Sequence, residues 1–568
     1  MAMSVGKLIA CVLVMWLLVV LMISGPLFHS GEPDEQVLAR LTRAVAELES
    51  LKQQNEELRA LLNSIKDPSK REQQVQEPAV VIPPIQTATT SSSGIPSKEY
   101  EVLRRKVING VQELWYYARA QLKKLRKSLG PEAQKTVDAI VEDISVYKRT
   151  IHIDLDEMRK ADGYEKWREQ ESKAIGDLVQ KRLTKLQNPK ACGSAKRLLC
   201  RLNKGCGYGC QIHHATYCLI MAYGTRRTMV LHSKGWRYAA GGWETVFKPV
   251  SNSCVEETGG TRATWSGNDD GADVLEVPII DSIQPRPKYL PLAVPKDLSE
   301  RLIRLVGDPA LWWISQAIRF LMRPQPEIQQ YLAKAEKDMD FKGPVVGVHV
   351  RRTDKIGTEA DFHSIEEYME FVDDYFAKLE LQTPGVKRRV YLATDDPKLL
   401  GEARQKYPHY QFYGDSQVAK TASLGNRYTS ESLRGIILDI HMLSKCDFLS
   451  CTFSSQVCRM AYEIMQLSHV DASKRFQSLD DIYYFGGQKD HSQVAAYDHT
   501  ARGASEMDVR KGDILGIAGN HWDGYSKGVN RRTGKQGLYP SFKAVEKVDV
   551  VEFPPYEDDD DGHHNEVK

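Results

Sequence analysis

One stretch of the chain constrains its fold more than any other, because an apolar, β-type run ends abruptly in charge. Residues 345–350 read Val-Val-Gly-Val-His-Val, and Arg351, Arg352, Asp354 and Lys355 follow closely. Such a run is typical of a parallel strand buried on both faces. Ligands of open α/β sheets bind just beyond the carboxyl ends of these strands, where two guanidinium groups would suit phosphate oxygens. The alternative is a surface loop whose charges simply follow a strand.

The same pattern of strand, polar tip and helix recurs further along. The run KRRVYLAT at 387–394 ends in Asp395, and the apolar strand 447–451 is followed by Ser454 and Ser455 at the start of a helix. Repetition of this unit indicates a doubly wound parallel sheet. We therefore expect the tips to converge on one crevice, where the N–H groups of a helix N-terminus bind anions.

The N-terminus contains an apolar segment long enough to span a bilayer. No charged residue occurs from Leu8 to Phe28, and roughly 20 apolar residues are needed for a span. Lys7 favours a cytoplasmic start. A cleaved signal peptide is the alternative, with a shorter apolar core and a small-residue cleavage site. We predict a cytoplasmic tail at 1–7, a signal anchor at 8–28 and a lumenal remainder.

Composition excludes one class of partner and indicates the redox environment. Lys+Arg 77 against Asp+Glu 75 gives no basic bias, so nothing favours nucleic-acid binding. An even cysteine cluster in an oxidising compartment indicates disulfides. A zinc site near His213 and His214 is the alternative. The clustered cysteines are Cys192, Cys200, Cys206, Cys210, Cys218 and Cys254.

Helical periodicity dominates the first third of the chain. Four heptads at 36–66 favour a coiled coil over a monomeric amphipathic helix, and Asn55 at a core position favours two strands. With the Pro/Ser/Thr-rich segment that follows, it forms a predicted stem at 29–97. Apolar stripes at spacings of three and four predict a helical, dimerising region at 98–188. Gly130 and Pro131 end its first helix.

The C-terminal region has a different texture. At 491–552, short apolar runs alternate with turn residues such as Asp523 and Gly524, which predicts a small β-barrel. Residues 553–568 are predicted to form an acidic tail, with Glu557–Asp561 as solvated charge; an acidic metal-binding segment is the alternative.

Several long segments, in order, resemble the family of α1,6-fucosyltransferases that modify the innermost GlcNAc of N-glycans. They are GCGYGCQIHH, WRYAAGGWETVF, FLMRPQP, GVHVRRTDKIGTEA, RVYLATDD, SLRGIILDIH, CTFSSQVCR and LDDIYYFGGQ. The resemblance implies an α/β, glycosyltransferase-B-like fold. An open α/β domain at 189–340 with the disulfide cluster would precede a Rossmann-type donor domain at 341–490 and an SH3-like domain. It also implies a Golgi type II membrane protein that forms homodimers through the coiled coil and helices.

The resemblance further implies how the cysteines pair and what the SH3-like domain does. Cys446 and Cys11 would stay unpaired. Tyr525 and Ser526 stand where peptide-binding SH3 domains have paired tryptophans, so binding of a proline-rich peptide is not expected. The resemblance implies instead that the domain faces the glycan through His521. The implied disulfides are Cys192–Cys254, Cys200–Cys218, Cys206–Cys210 and Cys451–Cys458.

The implied reaction moves L-fucose from GDP-β-L-fucose to the 6-hydroxyl of the acceptor GlcNAc with inversion. Arg351 would stabilise the β-phosphate, since a preorganised cation at developing charge is a large catalytic contribution. The expected donor-binding residues are His349 and Asp439 at guanine, Arg352 and Ser455 beside Arg351, and Asp395, Tyr238 and Gly207 on the nucleoside side.

For the general base we predict Glu359, with Lys355 and Asp354 positioning the acceptor; a solvated glutamate at a helix start is the alternative reading of Glu359. The expected acceptor-binding residues are Asp480, Asp481, Gln456 and His521, although the two aspartates could equally cap a strand at 482–485.

No metal or other cofactor is expected, and GDP-fucose is the donor substrate. Asp395 and Asp396 are neighbours in an extended segment and so point in opposite directions, while Asp154/Asp156 and Asp338/Asp340 lie in helical-looking stretches. Two other functions stay open. A nucleotide-sugar pyrophosphatase would need a metal cluster to activate water, and a membrane-tethered scaffold would have an inert α/β core.

Overall fold

The computed structural model describes residues 94–556, except 258, 269–270, 354–356, 358–360, 423–424 and 487–490. The predicted cytoplasmic tail, signal anchor and coiled-coil stem up to residue 93 therefore lie outside the described residues, as does the acidic run from Glu557. Within the described range, no helix combines the length and hydropathy that a membrane span requires.

Three long helices come first, as the apolar periodicity predicts. Gly130 and Pro131 separate the first two, because Pro131 occupies the first turn of the second helix, where its missing N–H costs no hydrogen bond. A buried ion cluster joins the first helix to the third, with Arg168 and Arg104 both bonded to Glu101. The helices are α1 (Lys98–Arg126), α2 (Pro131–Ala161) and α3 (Glu165–Gln187).

The first α/β unit contains a four-stranded parallel sheet in the order β2-β1-β4-β3. Its central helix is buried along almost its whole length, which explains its nearly continuous apolar sequence. The elements are β1 (Arg197–Arg201), α4 (Tyr208–Gly224), β2 (Thr228–His232), β3 (Arg262–Thr264), β4 (Val274–Glu276), β5 (Ala293–Pro295), α5 (Lys296–Leu305), α6 (Pro309–Leu321) and α7 (Pro326–Asp338).

The second α/β unit is a five-stranded parallel sheet in the order β10-β9-β6-β7-β8. The elements are β6 (Val346–Val350), α8 (Ile365–Gln382), β7 (Arg389–Thr394), α9 (Leu399–Lys406), β8 (Gln411–Tyr413), α10 (Ser416–Thr421), α11 (Ser430–Ser444), β9 (Phe448–Cys451), α12 (Gln456–Met465) and β10 (Phe476–Ser478). The chain reverses its direction of winding between β6 and β9, which is where Rossmann-type sheets bind nucleotides. The predicted doubly wound sheet is confirmed. The alternative strand at 482–485 is wrong, because those residues have no strand pairing.

The C-terminal module is a five-stranded antiparallel sheet in the order β14-β13-β12-β11-β15. A final strand, β16 (Asp549–Val551), leaves this module and pairs in parallel with β5 of the first α/β unit. Residues 553–556, predicted to belong to an acidic tail, instead pack against that unit. The strands of the sheet are β11 (Ser492–Ala495), β12 (Ile514–Asn520), β13 (Tyr525–Asn530), β14 (Gln536–Pro540) and β15 (Ala544–Glu546).

Four disulfides stabilise the two α/β units, and they are the four pairs implied by the family resemblance. Cys446 is free and buried, and Cys11 lies outside the described residues. The alternative of a zinc site built from Cys206 and Cys210 near His213 and His214 is wrong, since the two cysteines are bonded to each other. The disulfides are Cys192–Cys254, Cys200–Cys218, Cys206–Cys210 and Cys451–Cys458.

Candidate active site

Two helix N-termini lie side by side where the two α/β units meet. Gly207 is the N-cap of α4, and Ser455 is the buried N-cap of α12. A Cβ atom on Gly209 would lie only 2.8 Å from the Cβ of Gln456, so glycine is what allows the helices to approach. Because the first N–H groups of a helix lack intrahelical acceptors and carry partial positive charge, this junction suits an anion.

Arg351 emerges beside this junction from the carboxyl end of β6. Its Nε lies 3.2 Å from an Oδ2 atom of Asp395, which follows β7 and is 3% exposed. Asp395 also accepts hydrogen bonds from the backbone N–H of Arg352 at 2.8 Å and of Thr353 at 3.1 Å, and from the Thr353 hydroxyl. Asp395 thus lies in the predicted crevice, but its carboxylate is occupied in shaping the loop and orienting Arg351.

Arg352 faces a different set of partners. Its Nη1 lies 3.5 Å from Asp396 and 3.6 Å from Glu402 of α9, and its guanidinium stacks over the ring of Phe362. The side chains of Asp395 and Asp396 therefore contact different arginine side chains, as expected because neighbouring side chains of an extended segment point in opposite directions. In this conformation Arg352 is directed toward α9, so the predicted help to Arg351 at a phosphate requires another rotamer.

His349 and Asp439 lie on the same side of the sheet. Gly347 pairs with Tyr391 and His349 with Ala393, so all four residues share the face that α11 covers. The Tyr391 hydroxyl donates a hydrogen bond to Asp439 of α11 at 2.8 Å. Tyr391 could not be recognised as a site residue from the sequence, since a tyrosine inside a buried strand is indistinguishable from a core residue.

Burial shifts the titration of both residues toward their neutral forms. It raises the pKa of Asp439 to about 7, a rise that the Tyr391 hydrogen bond opposes. It lowers the pKa of His349 to about 4, with a further contribution from the charge of Arg351. The Nδ1 atom of His349 is buried and has no hydrogen-bond partner among the described residues. A neutral imidazole nitrogen is therefore available to a ligand here.

Tyr238 brings the first α/β unit to the same place. Its ring packs edge-on against Tyr208 at a centroid distance of 5.7 Å and in a tilted arrangement against Tyr428 at 5.0 Å. Burial raises the pKa of Tyr238 to about 12, and Arg351 is one of the nearby cations that oppose the rise. Arg237, whose guanidinium stacks 3.7 Å from the ring centre of Tyr428, completes this cluster. Arg237 lies in the segment WRYAAGGWETVF but was not singled out as a site residue, and Tyr428 carried no recognisable sequence signal.

The candidate acceptor residues form a turn beyond β10. Asp480 accepts hydrogen bonds from the backbone N–H groups of Phe453 at 2.8 Å and Ser454 at 3.3 Å, so it fixes the turn after β9. Asp481 accepts one from the backbone N–H of Ile482 at 2.9 Å, and burial raises its pKa. Asp480 therefore has a capping role, as the alternative reading proposed. However, it caps the turn at 453–454, and residues 482–485 do not form the strand that the alternative reading expected.

The SH3-like module reaches this same turn through a tryptophan. The indole N–H of Trp522 donates to the carbonyl oxygen of Asp480 at 3.1 Å, which places the exposed His521 in the adjoining turn. Trp522 adopts a positive φ of 51°, and such strain is often found at functional turns. The Trp-Asp-Gly sequence predicted a turn but gave no indication of this contact.

A buried carboxylate ties the two units together beneath the helix N-termini. Glu463 of α12 contacts His213 of α4 at 3.0 Å and accepts a hydrogen bond from the Tyr483 hydroxyl at 2.9 Å. His213 is thus a structural partner of Glu463 and not the zinc ligand considered above. Glu463 was another residue that the sequence did not single out.

Three predicted catalytic residues, Asp354, Lys355 and Glu359, lie outside the described residues. The described residues contain one group of three candidate metal ligands, Cys200, His214 and Cys218. Its two sulfur atoms are joined in a disulfide, so they are not available as thiolates. The expectation that no metal is required remains a prediction.

Comparison with known proteins gives a consistent result. Residues 1–484 match the family model of α-(1,6)-fucosyltransferase N- and catalytic domains, and residues 495–543 match that of a variant SH3 domain. An α-(1,6)-fucosyltransferase from Drosophila melanogaster is 51% identical over 81% of this chain and 75% of its own length. An α-(1,6)-fucosyltransferase from Caenorhabditis elegans is 39% identical over 94% of this chain and 96% of its own length.

Among solved structures, the fucosyltransferase NodZ from Bradyrhizobium is 13% identical over 47% of this chain and 93% of its own, with a TM-score of 0.30. The family model spans residues 1–484 of the 568 in the chain. Together with both animal relatives and the variant SH3 model, it confirms an α/β fucosyltransferase catalytic domain followed by a C-terminal SH3 domain. The chain belongs to the α-(1,6)-fucosyltransferase family of glycosyltransferases.

Proposed function

We propose that this enzyme transfers L-fucose from GDP-β-L-fucose to the 6-hydroxyl of the innermost GlcNAc of N-glycans, with inversion at the fucose anomeric carbon. The observation that carries the proposal is the Arg351–Asp395 pair at the tip of β6, beside the N-termini of α4 and α12. A nucleotide diphosphate leaving group requires such a preorganised concentration of positive charge.

Arg351 acts on the leaving group. As the bond between fucose and the β-phosphate breaks, negative charge grows on the phosphate oxygens, and a fixed guanidinium stabilises this charge without reorganising. Asp395 keeps Arg351 in place through its 3.2 Å contact and holds the loop through the backbone N–H groups of Arg352 and Thr353. Ser455, as the N-cap of α12, supplies a second polar group at the same edge.

His349 and Asp439 recognise the guanine. An ionised Asp439 accepts from the N1–H and the exocyclic amino group of the base. The neutral His349 offers the nucleotide its Nδ1, which has no hydrogen-bond partner within the described part of the chain. Tyr391 orients the carboxylate of Asp439. Tyr238 and Gly207 close the crevice from the side of the first α/β unit.

Glu359 removes the proton from the acceptor 6-hydroxyl, and Lys355 and Asp354 position the glycan. These roles are supported by the motif that carries them, which follows Arg351 directly in the sequence. General-base catalysis contributes roughly 10²–10⁴-fold to the rate. Asp480, Asp481 and Gln456 face the acceptor from the turns that follow β9 and β10, and His521 approaches from the SH3-like module. No metal participates in this scheme.

The enzyme is held in the Golgi membrane by residues 8–28 with its catalytic units in the lumen, and it works as a homodimer. The four disulfides support an oxidising compartment. A dimer interface on α1 and α2 is supported by the large apolar side chains that these helices expose to solvent. They include Leu103, Val107, Leu114, Ile140, Val146 and Tyr147.

One incubation separates this proposal from its two rivals. The purified full chain is mixed with GDP-fucose and an N-glycan bearing terminal GlcNAc, with and without EDTA. We expect fucosylated glycan in equal amounts under both conditions. Release of GMP and fucose 1-phosphate would support the pyrophosphatase, release of GDP and free fucose without glycan modification would support a hydrolase, and absence of turnover would support a scaffold. Loss of transfer on adding EDTA would contradict the metal-independent mechanism.

A further inference from the structure

A buried tyrosine of helix α1 contacts both of the elements that hold the candidate acceptor turn. Tyr116 is 5% exposed, and its hydroxyl donates a hydrogen bond to the Oε1 atom of Gln477 in β10 at 2.5 Å. Its ring packs against that of Trp522, with the centroids 5.7 Å apart. Burial raises the pKa of Tyr116 well above its usual range, so the phenol remains a donor. Tyr116 thus joins the helical region to β10 and to the SH3-like module.

The first connection runs through Gln477 to the carboxylate of Asp480. The side-chain N–H of Gln477 donates to the carbonyl oxygen of Ser478 at 2.9 Å, so both ends of its amide group are bonded. The Ser478 hydroxyl donates in turn to Oδ1 of Asp480 at 2.9 Å. Gln477 and Ser478 are both buried, where hydrogen bonds are stronger than they are in water. The orientation of the Asp480 carboxylate therefore depends on a chain of bonds that begins at Tyr116.

The second connection runs through Trp522 to the backbone of the same aspartate. The indole N–H donates to the Asp480 carbonyl oxygen at 3.1 Å, while the indole ring packs on Tyr116. Helix α1 also approaches the next turn of the module closely, because a Cβ atom on Gly524 would lie 2.7 Å from the Cβ of Tyr117. Asp480 is therefore held at its carboxylate and at its carbonyl by two routes that both start from Tyr116.

We propose that Tyr116 is a positioning residue of the acceptor site. Through Gln477 and Trp522 it sets the orientation of the turn that carries Asp480 and Asp481, and it does so without contact to the glycan. The inference rests on the proposed function, in which this turn binds the acceptor. Its consequence is that recognition of the glycan depends on a helix outside both α/β units.

The donor side of the site is held by different contacts. Asp395 orients Arg351 through its 3.2 Å contact. Tyr391 orients Asp439 through a hydrogen bond of 2.8 Å. Neither contact includes Tyr116, so we expect its influence to be confined to the acceptor.

Removal of one oxygen atom tests the inference. Tyr116→Phe keeps the ring on Trp522 but deprives the buried Oε1 atom of Gln477 of its donor. The loss of one such hydrogen bond changes an affinity roughly two- to tenfold, so the KM for the glycan should rise by this factor. The kcat at saturating glycan and the Kd for GDP should stay at their wild-type values. A residue with a merely structural role would not separate KM from kcat in this way.

Tyr117→Phe, at the next position of α1, is the matched control. The ring of Tyr117 packs against that of Tyr525 at a centroid distance of 6.4 Å. Its hydroxyl makes no hydrogen bond to any residue that the structure describes. This variant should therefore keep the wild-type KM, kcat and melting temperature.

A double-mutant cycle identifies the route by which the hydroxyl acts. Gln477→Met removes the acceptor of the Tyr116 hydrogen bond at nearly constant side-chain length, and it should raise the glycan KM by itself. On this background Tyr116→Phe should add nothing, because the bond that it removes is already absent. Additive increases in KM would contradict a route through Gln477.

Hydrogen exchange examines the turn without any substrate. The backbone N–H groups of Phe453 and Ser454 donate to Asp480, so mass spectrometry of the full chain should find that they exchange faster in Tyr116→Phe than in Tyr117→Phe or wild type. Unchanged exchange at 453–454 would overturn the inference, as would an unchanged glycan KM or a parallel loss of kcat and GDP affinity. Absence of transfer by the wild-type chain would instead contradict the proposed function.

Discussion

The Tyr391 hydroxyl donates a 2.8 Å hydrogen bond to Asp439 and so links strand β7 to helix α11 inside the second α/β unit. Burial raises the pKa of Asp439 to about 7, and this hydrogen bond opposes the rise. Near neutral pH the carboxylate is therefore poised between its two protonation states, and only the ionised state can accept two guanine N–H groups.

The first prediction is a pH dependence of GDP binding. As the pH falls below about 7, Asp439 is protonated in the free enzyme, and the affinity should fall about tenfold per pH unit. His349, with a pKa of about 4, is neutral throughout and does not contribute above pH 5. Isothermal titration with GDP between pH 5.5 and 8 measures the profile. Asp439→Asn should bind more weakly at pH 8 and flatten the profile.

The second prediction concerns Tyr391 itself. Tyr391→Phe removes the hydrogen bond that stabilises the ionised carboxylate, so the pKa of Asp439 rises and the midpoint of the GDP-binding profile moves to higher pH. Tyr413→Phe is the matched control, because its hydroxyl donates to a backbone carbonyl, that of Asp340. An unchanged midpoint in Tyr391→Phe would mean that the phenol does not control this carboxylate.

The third prediction compares two adjacent aspartates. Asp395→Asn removes the charge that orients Arg351 and weakens the bonds that shape its loop, so kcat for transfer should fall roughly 10²-fold, as expected when a catalytic group is misplaced by about 1 Å. Asp396→Asn changes a partner of Arg352 and the acceptor of the Lys398 backbone N–H, neither of which holds Arg351, and should change kcat little. Steady-state assays with saturating donor and acceptor give both values. Equal losses in the two variants would contradict a specific role for Asp395.

The fourth prediction addresses the SH3-like module. Trp522→Phe keeps an aromatic ring but removes the N–H that bonds the Asp480 carbonyl. Such a hydrogen bond contributes about 0.5–1.5 kcal/mol, so the KM for the glycan should rise roughly two- to tenfold while the Kd for GDP stays constant. A rise in the Kd for GDP with no change in the glycan KM would place the contact on the donor side instead.

The fifth prediction concerns stability in the helical region. Glu101 is 1% exposed and compensates the buried guanidinium groups of Arg104 and Arg168. Glu101→Gln should lower the free energy of unfolding by about 3 kcal/mol, because it leaves buried charge unbalanced. Glu300→Gln, which breaks the exposed pair with Lys98, should cost under about 1 kcal/mol. Urea unfolding followed by circular dichroism compares them.

Much of the fold could be predicted because its local signals agree with its tertiary structure. The strands at 345–350 and 387–394 occur almost where their sequence patterns placed them. The last segment was different. Phe553 and Tyr556 lie next to an acidic run, and only the pairing of β16 with β5 explains why they are packed and not solvated.

The candidate site was predicted by residue type and motif, and its supporting residues were missed. Arg351 follows a predicted strand and Asp439 lies in the segment SLRGIILDIH, so both could be recognised from the sequence as candidate site residues. Tyr391, Trp522 and Glu463 act through hydrogen bonds to residues at least 20 positions away in the chain. Such pairs depend on tertiary geometry, and no spacing rule in a single sequence reveals them.

The most direct test of the account is the rate of fucose transfer by Arg351→Ala, with Arg352→Ala assayed beside it. Because Asp395 holds Arg351 at the tip of β6, beside the N-termini of α4 and α12, its loss should reduce kcat/KM by at least roughly 10²–10³-fold without changing the melting temperature. Arg352→Ala should lose much less. If Arg351→Ala kept about a tenth or more of the wild-type rate, the loss of rate would be far smaller than the contribution that an oriented cation makes to the rate. The proposed stabilisation of the departing diphosphate would then be wrong.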